Sequence, residues 1–122
     1  MTNFKSYSGM TILEVDLTGV YSDQGARDLA DKVYKLVKMY RAGELLIMYN
    51  FGSFKFNSEF VKFIIPRILE AKKKITRRAL ITTDMSQGGF IRDFCQLMKI
   101  SHNTEFFNEE TKAMNWLVRG EL

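Results

Sequence analysis

Segments with the apolar pattern of β-strands alternate along this chain with segments that have the pattern of amphipathic helices. Parallel strands need long crossover connections, which helices usually supply. The alternation therefore restricts the chain to an α/β fold with a helix-covered sheet. We predict a mixed, mostly parallel sheet of four to five strands with about four helices.

The 122-residue chain has the length of one domain, and a hydrophobic content of 46% is enough for one core. We expect a single domain over residues 1–122. No run approaches the roughly 20 apolar residues of a membrane span, so we expect no transmembrane segment. The first residues lack the apolar core of a signal peptide. Cys95 is the only cysteine and cannot form an internal disulfide, which favours a reducing compartment, the cytoplasm.

The strand-like segments differ in how many faces they are expected to bury. In residues 11–17 apolar and polar side chains alternate, which predicts one face on the core and the other, with Ile12, Glu14 and Asp16, mostly in water. Residues 45–49 have no polar alternate, which predicts a central strand buried on both faces. The remaining predicted strands are residues 4–8, 78–83 and 104–107.

Polar residues and glycines before or after each helical segment predict where the helices begin and end. Candidate N-caps are Ser22 or Asp23 for the first helix and Asn108 for the last. The second helix is predicted to start near Asn57 or Ser58, and Ser86 with Gly88-Gly89 to open the third. Gly43 is the predicted stop of the first helix. In the last helix Ala113, Trp116 and Leu117 form an inward stripe.

Pro66 lies inside the second helical pattern. Proline has no N–H to bond back one turn, so we expect a kink or break near Phe63.

The formal net charge of +4 is modest, and one basic cluster stands out: Arg67, Lys72, Lys73, Lys74, Arg77 and Arg78. We interpret the lysines as a helix C-terminus, where cations are favourable, and the arginines as part of a solvated turn. No aromatic platform lies beside the cluster in a known binding motif, so nucleic-acid binding is not favoured.

Residue types that carry catalysis or bind metals are sparse. His102 directly follows Ser101, and adjacent residues do not usually present a hydroxyl to an imidazole in triad geometry. We interpret His102 as a surface loop residue. One histidine and one cysteine are too few for a structural zinc site. We therefore expect no enzyme activity, no metal and no cofactor.

Half of the ten phenylalanines fall within thirteen residues: Phe51, Phe54, Phe56, Phe60 and Phe63. Most of these rings are expected in the core. A loop cannot easily bury Phe51, Phe54 and Phe56 all at once, so an exposed subset would form an apolar patch for a partner chain or a lipid-like ligand.

Four segments carry a resemblance over nearly the whole chain: residues 17–20 (Leu-Thr-Gly-Val), 44–49, 78–83 and the ending at 107–117 with Ala113, Trp116 and Leu117. Their order and spacing resemble the STAS fold of sulfate transporters and anti-sigma-factor antagonists, especially its SpoIIAA-like branch of small bacterial proteins. The resemblance implies a regulatory module that binds a partner protein or itself as a homodimer.

STAS phosphorylation switches carry Asp-Ser-Ser/Thr-Gly where this chain reads Phe56, Asn57, Ser58 and Glu59. Only Ser58 keeps a hydroxyl, so we predict that it is a helix cap and not an efficient switch. The partner-binding candidates are Phe51, Phe54, Phe56, Asn57 and Ser58. The alternative is a carrier of an apolar small molecule, because SpoIIAA-like proteins also resemble the lipid-binding CRAL-TRIO fold.

Overall fold

The computed structural model describes residues 2–7, 9–83 and 85–120. The strands are β1 (Thr2–Tyr7), β2 (Met10–Asp16), β3 (Leu45–Gly52), β4 (Ile75–Thr82) and β5 (Thr104–Phe107). The helices are α1 (Asp23–Lys38), α2 (Ser58–Ala71), α3 (Met85–Leu97) and α4 (Glu110–Arg119). Short 3-10 helices, Lys72–Lys74 and Ser101–Asn103, lead into β4 and β5.

The five strands form one sheet in the order in which they occur in the chain. The hairpin of β1 and β2 is antiparallel, and β2 to β5 are parallel. The predicted α/β class and mostly parallel sheet are confirmed. Because the parallel strands follow in sequence and crossovers are right-handed, α1, α2 and α3 lie on the same face. No reversal of strand order creates the crevice in which open α/β sheets usually bind ligands.

The sheet has one apolar core on each face. The face under α1, α2 and α3 carries Leu13, Val15 and their neighbours. The opposite face is covered by α4 and carries Ile12 beside Ala113 and Leu117, all fully buried.

The prediction that the second face of β2 is mostly in water was wrong. Ile12 is fully buried and Glu14 and Asp16 are half-buried, because α4 packs where solvent was expected. The prediction for β3 is confirmed, since residues 45–48 are buried on both faces. Trp116 is also buried as predicted, 8% exposed, with its ring centroid 5.7 Å from that of Phe107.

Two side chains cap helices by accepting backbone hydrogen bonds. Ser22 Oγ accepts from the N–H of Gly25 at 3.0 Å, and Asn57 Oδ1 accepts from the N–H of Phe60 at 2.8 Å. Ser58 is the first residue of α2 and not its cap, so that prediction for Ser58 was wrong.

Two helix ends differ from their predictions. The N-cap of α4 is Glu109, which makes no side-chain cap bond, and not Asn108, because the chain bends over both residues before α4 begins. Helix α1 ends at Lys38, before Gly43. That glycine has a φ of 74° in the following turn, where its N–H donates to the carbonyl of Lys73 at 2.9 Å.

Helix α2 runs unbroken through Pro66, so the predicted break did not occur. Pro66 is exposed. Water can therefore donate a hydrogen bond to the backbone carbonyl one turn earlier, which has no N–H donor within the helix. One residue further, the guanidinium of Arg67 donates to the carbonyl of Phe63 at 2.7 Å. The side chain adds a hydrogen bond at the turn that the proline weakens.

Candidate ligand cavity

A cavity of about 150 Å³ lies between the sheet and the three helices on its first face. Its floor includes Val15 and Tyr49 on the sheet, and its walls include Val33 of α1, Ile68 of α2 and Phe94 of α3. Nearly all of these side chains are apolar. The arrangement can hold a small apolar molecule against the sheet.

Helix α2 buries side chains completely only near its ends. Phe60, near the start of the helix, and Ala71, at its end, are buried. Between them Ile64, Ile65 and Ile68 are only half-buried, although their side chains are apolar. Ile65 and Ile68 pack against the core, and Ile64 and Ile68 line the cavity that remains beneath the middle of α2.

Polar contacts hold α2 to α1. Arg67 Nε lies 2.7 Å from Asp31 Oδ1, and the hydroxyl of Tyr34 donates to the carboxylate of Glu70. Helix α2 makes few contacts with α3. Fewer contacts therefore hold α2 to α3 than to α1. Phe90, which is 44% exposed, lines the cavity on this side.

One charged side chain is buried in the cavity wall. Arg78 is only 4% exposed, and its Nη1 donates to Asn103 Oδ1 at 2.8 Å while Nη2 donates to the carbonyl of Lys72 at 3.4 Å. Burial lowers the pKa of Arg78, because a low-dielectric surrounding disfavours the charged form. The interpretation of Arg78 as part of a solvated turn was wrong, since β4 already begins at Ile75.

The rest of the basic cluster does not form one patch. Lys72 Nζ donates to the carbonyl of Met98 at 3.3 Å, and Lys74 Nζ donates to that of Tyr40 at 2.6 Å. Lys73 is exposed, whereas Arg77 is half-buried and lies beside Gly120. The lysines bond to carbonyls at the ends of neighbouring helices, where cations are favourable.

Tyr49 and Cys95 add two titratable groups to the cavity lining. Burial raises the pKa of the Tyr49 phenol, and the positive charge of Arg78 acts in the opposite direction. Burial also raises the pKa of the Cys95 thiol to about 11. Both groups are protonated at neutral pH, and a protonated, buried thiol is a poor nucleophile.

The rings of the phenylalanine-rich segment pack against one another. Phe51 belongs to β3 and is buried, so the expectation of a loop unable to bury it was wrong. The rings of Phe51 and Phe56 lie 5.2 Å apart, and those of Phe54 and Phe56 lie 5.1 Å apart, both edge to face. Phe54 and Phe56 are half-buried, since each ring covers part of the next.

Among the partner-binding candidates, only Phe51 and Phe56 line the cavity. Asn57 caps α2 and also donates from Nδ2 to Asp23 Oδ1 at 2.9 Å, which ties α2 to the start of α1. Ser58 is exposed. The exposed ring next to this segment is Phe90, 6.0 Å from Phe56, which the sequence pattern did not single out because it lies in another helix.

Other predicted features lie away from the cavity. His102 is exposed in the 3-10 helix before β5, as predicted. Within residues 2–7, 9–83 and 85–120, no group of three or more histidine, cysteine, aspartate or glutamate side chains could hold a metal ion. In that part of the chain no helix has the length and apolar character to cross a bilayer. The side chain of Ser86, a predicted helix opener, lies outside the described residues.

A scan against protein-family models gave no match, and neither did searches of curated proteins and of solved structures.

Proposed function

We propose that this chain is a non-enzymatic protein that reversibly binds a small apolar molecule between its sheet and α2. The observation that carries the proposal is the apolar cavity of about 150 Å³. A cavity of about this volume, cut into the core of another protein, stays dry and binds benzene.

The groups around the cavity support binding and not turnover. Catalysis of acyl or phosphoryl transfer would need a nucleophile beside a base. The candidate nucleophiles in the lining, Tyr49 and Cys95, are protonated at neutral pH, and no carboxylate or histidine appears among the described lining residues. These features favour a site that holds its ligand unchanged.

A second candidate is the regulatory, STAS-like interaction module that the sequence resemblance implies, acting in the cytoplasm on a protein partner or as a homodimer. Its specific support is Phe90, which is 44% exposed and also lines the cavity. A ligand that fills the cavity would press on Phe56 and Phe90 together. The two candidates are compatible, because ligand binding could then change the contact surface.

Adjacent residues of α2 provide a matched test of the binding proposal. Ile68 lines the cavity, whereas Leu69 is 48% exposed and does not. Toluene is the probe, followed by methyl NMR of Val33 and Ile91 on the cavity side and of Leu117 on the α4 side. We expect saturable shifts of the first two methyl groups and none of Leu117.

Ile68→Phe should fill the cavity and weaken toluene binding at least tenfold, while Leu69→Phe should bind as the wild type does. Both variants add a ring to the same helix, so a general effect on folding would appear in both. Absence of saturable toluene binding in the wild type, or equal binding by the two variants, would refute the proposal.

A further inference from the structure

The charged residues of the cavity lining all have the same sign. Arg67, Lys72 and Arg78 contribute side chains to it, and no aspartate or glutamate does so among the described residues. An apolar space bordered by cations alone has a positive potential, since apolar surroundings screen charge less than water does.

The three cations differ in how their charge is balanced. Arg67 forms an ion pair with Asp31, and Lys72 donates to a backbone carbonyl. Arg78 is the most deeply buried, and both of its hydrogen-bond acceptors, Asn103 Oδ1 and the carbonyl of Lys72, are neutral. No carboxylate forms an ion pair with Arg78 in the described part of the chain. A buried charge without a counter-ion is costly.

Tyr49 places a second donor near this charge. Its strand neighbour in β4 is Leu80, two residues from Arg78, so the side chains of Tyr49 and Arg78 start from the same face of adjacent strands. The effect of the Arg78 charge on the Tyr49 pKa agrees with this placement. The hydroxyl of Tyr49 has no hydrogen bond to any described residue, although the residue lines the cavity.

We infer that the ligand is a small carboxylate whose charged group binds Arg78 and the Tyr49 hydroxyl while a benzene-sized apolar part lies beneath α2. The guanidinium has five N–H donors in a planar fork, of which two are used by Asn103 and Lys72. The remaining donors suit a carboxylate, which would also supply the missing negative charge. This inference rests on the proposed function and names its ligand class.

Benzoate and toluene separate the two proposals, because they share a ring and differ in the carboxylate. Each is titrated by NMR at neutral pH into the wild type, Arg78→Met and Arg77→Met. Arg77 is the matched control, since it precedes Arg78 on β4, loses the same charge on substitution and lies outside the cavity.

We expect the wild type to bind benzoate more tightly than toluene, and Arg78→Met to lose benzoate affinity by on the order of tenfold or more. The ratio of benzoate to toluene affinity should therefore fall in Arg78→Met, and Arg77→Met should bind both probes as the wild type does. Tyr49→Phe should lower the ratio of benzoate to toluene affinity about threefold to tenfold.

The outcomes distinguish the inference from the proposed function. Toluene binding without a preference for benzoate, or equal benzoate affinity in Arg78→Met, overturns the inference and leaves the proposed function standing. Absence of saturable toluene binding by the wild type refutes the proposed function itself. If Arg78→Met does not fold, a measurement on the wild type tests the inference instead. Benzoate should shift the guanidinium nitrogen resonance of Arg78, and toluene should not. An unmoved resonance with benzoate bound overturns the inference.

Discussion

A Cβ atom placed on Gly52 would lie 2.7 Å from Cγ2 of Thr18. Gly52 ends β3 with a φ of 53°, and Thr18 lies in the turn after β2, where its N–H and hydroxyl donate to Asp16 Oδ1 at 2.9 and 2.6 Å. This close approach lies where the neighbouring parallel strands β2 and β3 end, at the edge of the sheet where α1 and α2 begin.

Gly52→Ala should therefore destabilise the protein in two ways. The left-handed backbone costs about 1 kcal/mol for a residue with a Cβ, and the clash with Thr18 should add about 1 to 3 kcal/mol. Gly43→Ala is the control, because Gly43 has a φ of 74° and a Cβ added to it would have no atom within 4 Å. Urea unfolding of both variants measures the difference, and equal losses would contradict a role for the Thr18 contact.

Trp116→Ala should lower the free energy of unfolding by about 3 to 5 kcal/mol, because it leaves a cavity between α4 and the sheet. Tyr21→Ala is the control. It removes an aromatic ring that is 92% exposed, and it should change stability by less than about 0.5 kcal/mol. The fluorescence of Trp116, the only tryptophan, should be that of a buried indole. A fully solvent-quenched spectrum in the native protein would contradict this placement.

Asn57→Ala should cost about 0.5 to 2 kcal/mol, since it removes the cap of α2 and the hydrogen bond to Asp23. Ser58→Ala should change stability by less than about 0.5 kcal/mol, because that exposed side chain is not the cap. Thermal unfolding of the two variants compares adjacent positions directly. Equal destabilisation would show that Ser58 shares the capping role.

Self-association remains a prediction, and the structure makes Phe90 a better position than Phe54 at which to test it. Phe54 packs against Phe56 and Phe60, so Phe54→Asp should lower the melting temperature as well as any association. Phe90→Asp alters the exposed ring and should weaken association with little effect on melting. Sedimentation velocity up to high micromolar concentration measures this, and a wild type that stays monomeric would exclude the homodimer.

Stability should fall as the pH rises from about 9 to about 11. The Cys95 thiol has its pKa raised from 9.0 to about 11 by burial, so the folded state keeps a proton that the unfolded chain releases. Stability from this source is fully present below the unfolded pKa and is lost as the pH passes through the folded one. In Cys95→Ala the free energy of unfolding, measured by chemical denaturation, should fall less over this pH range. The raised pKa of Tyr49 should cause the fall that remains. An identical pH dependence in the variant would contradict this account.

Local sequence patterns determined much of the architecture. The uninterrupted apolar run at residues 45–49 predicted a strand buried on both faces, and residues 104–107 were predicted as a strand with the bounds that β5 has. These features depend on side-chain periodicity and turn residues, which act between near neighbours. The burial of Trp116 followed from its helical stripe for the same reason.

Tertiary structure alone decided which faces of the sheet are covered and which residues line the cavity. Ile12 is buried because α4, about a hundred residues later, packs on its face. Arg78 looked like one more residue of a basic cluster, yet the pairing of β4 between β3 and β5 turns it toward the core. The cavity lies beneath the middle of α2, where Ile64 and Ile68 are half-buried, while Phe60 and Ala71 near the ends of the helix are buried. Such features depend on contacts between distant segments, which no local pattern encodes.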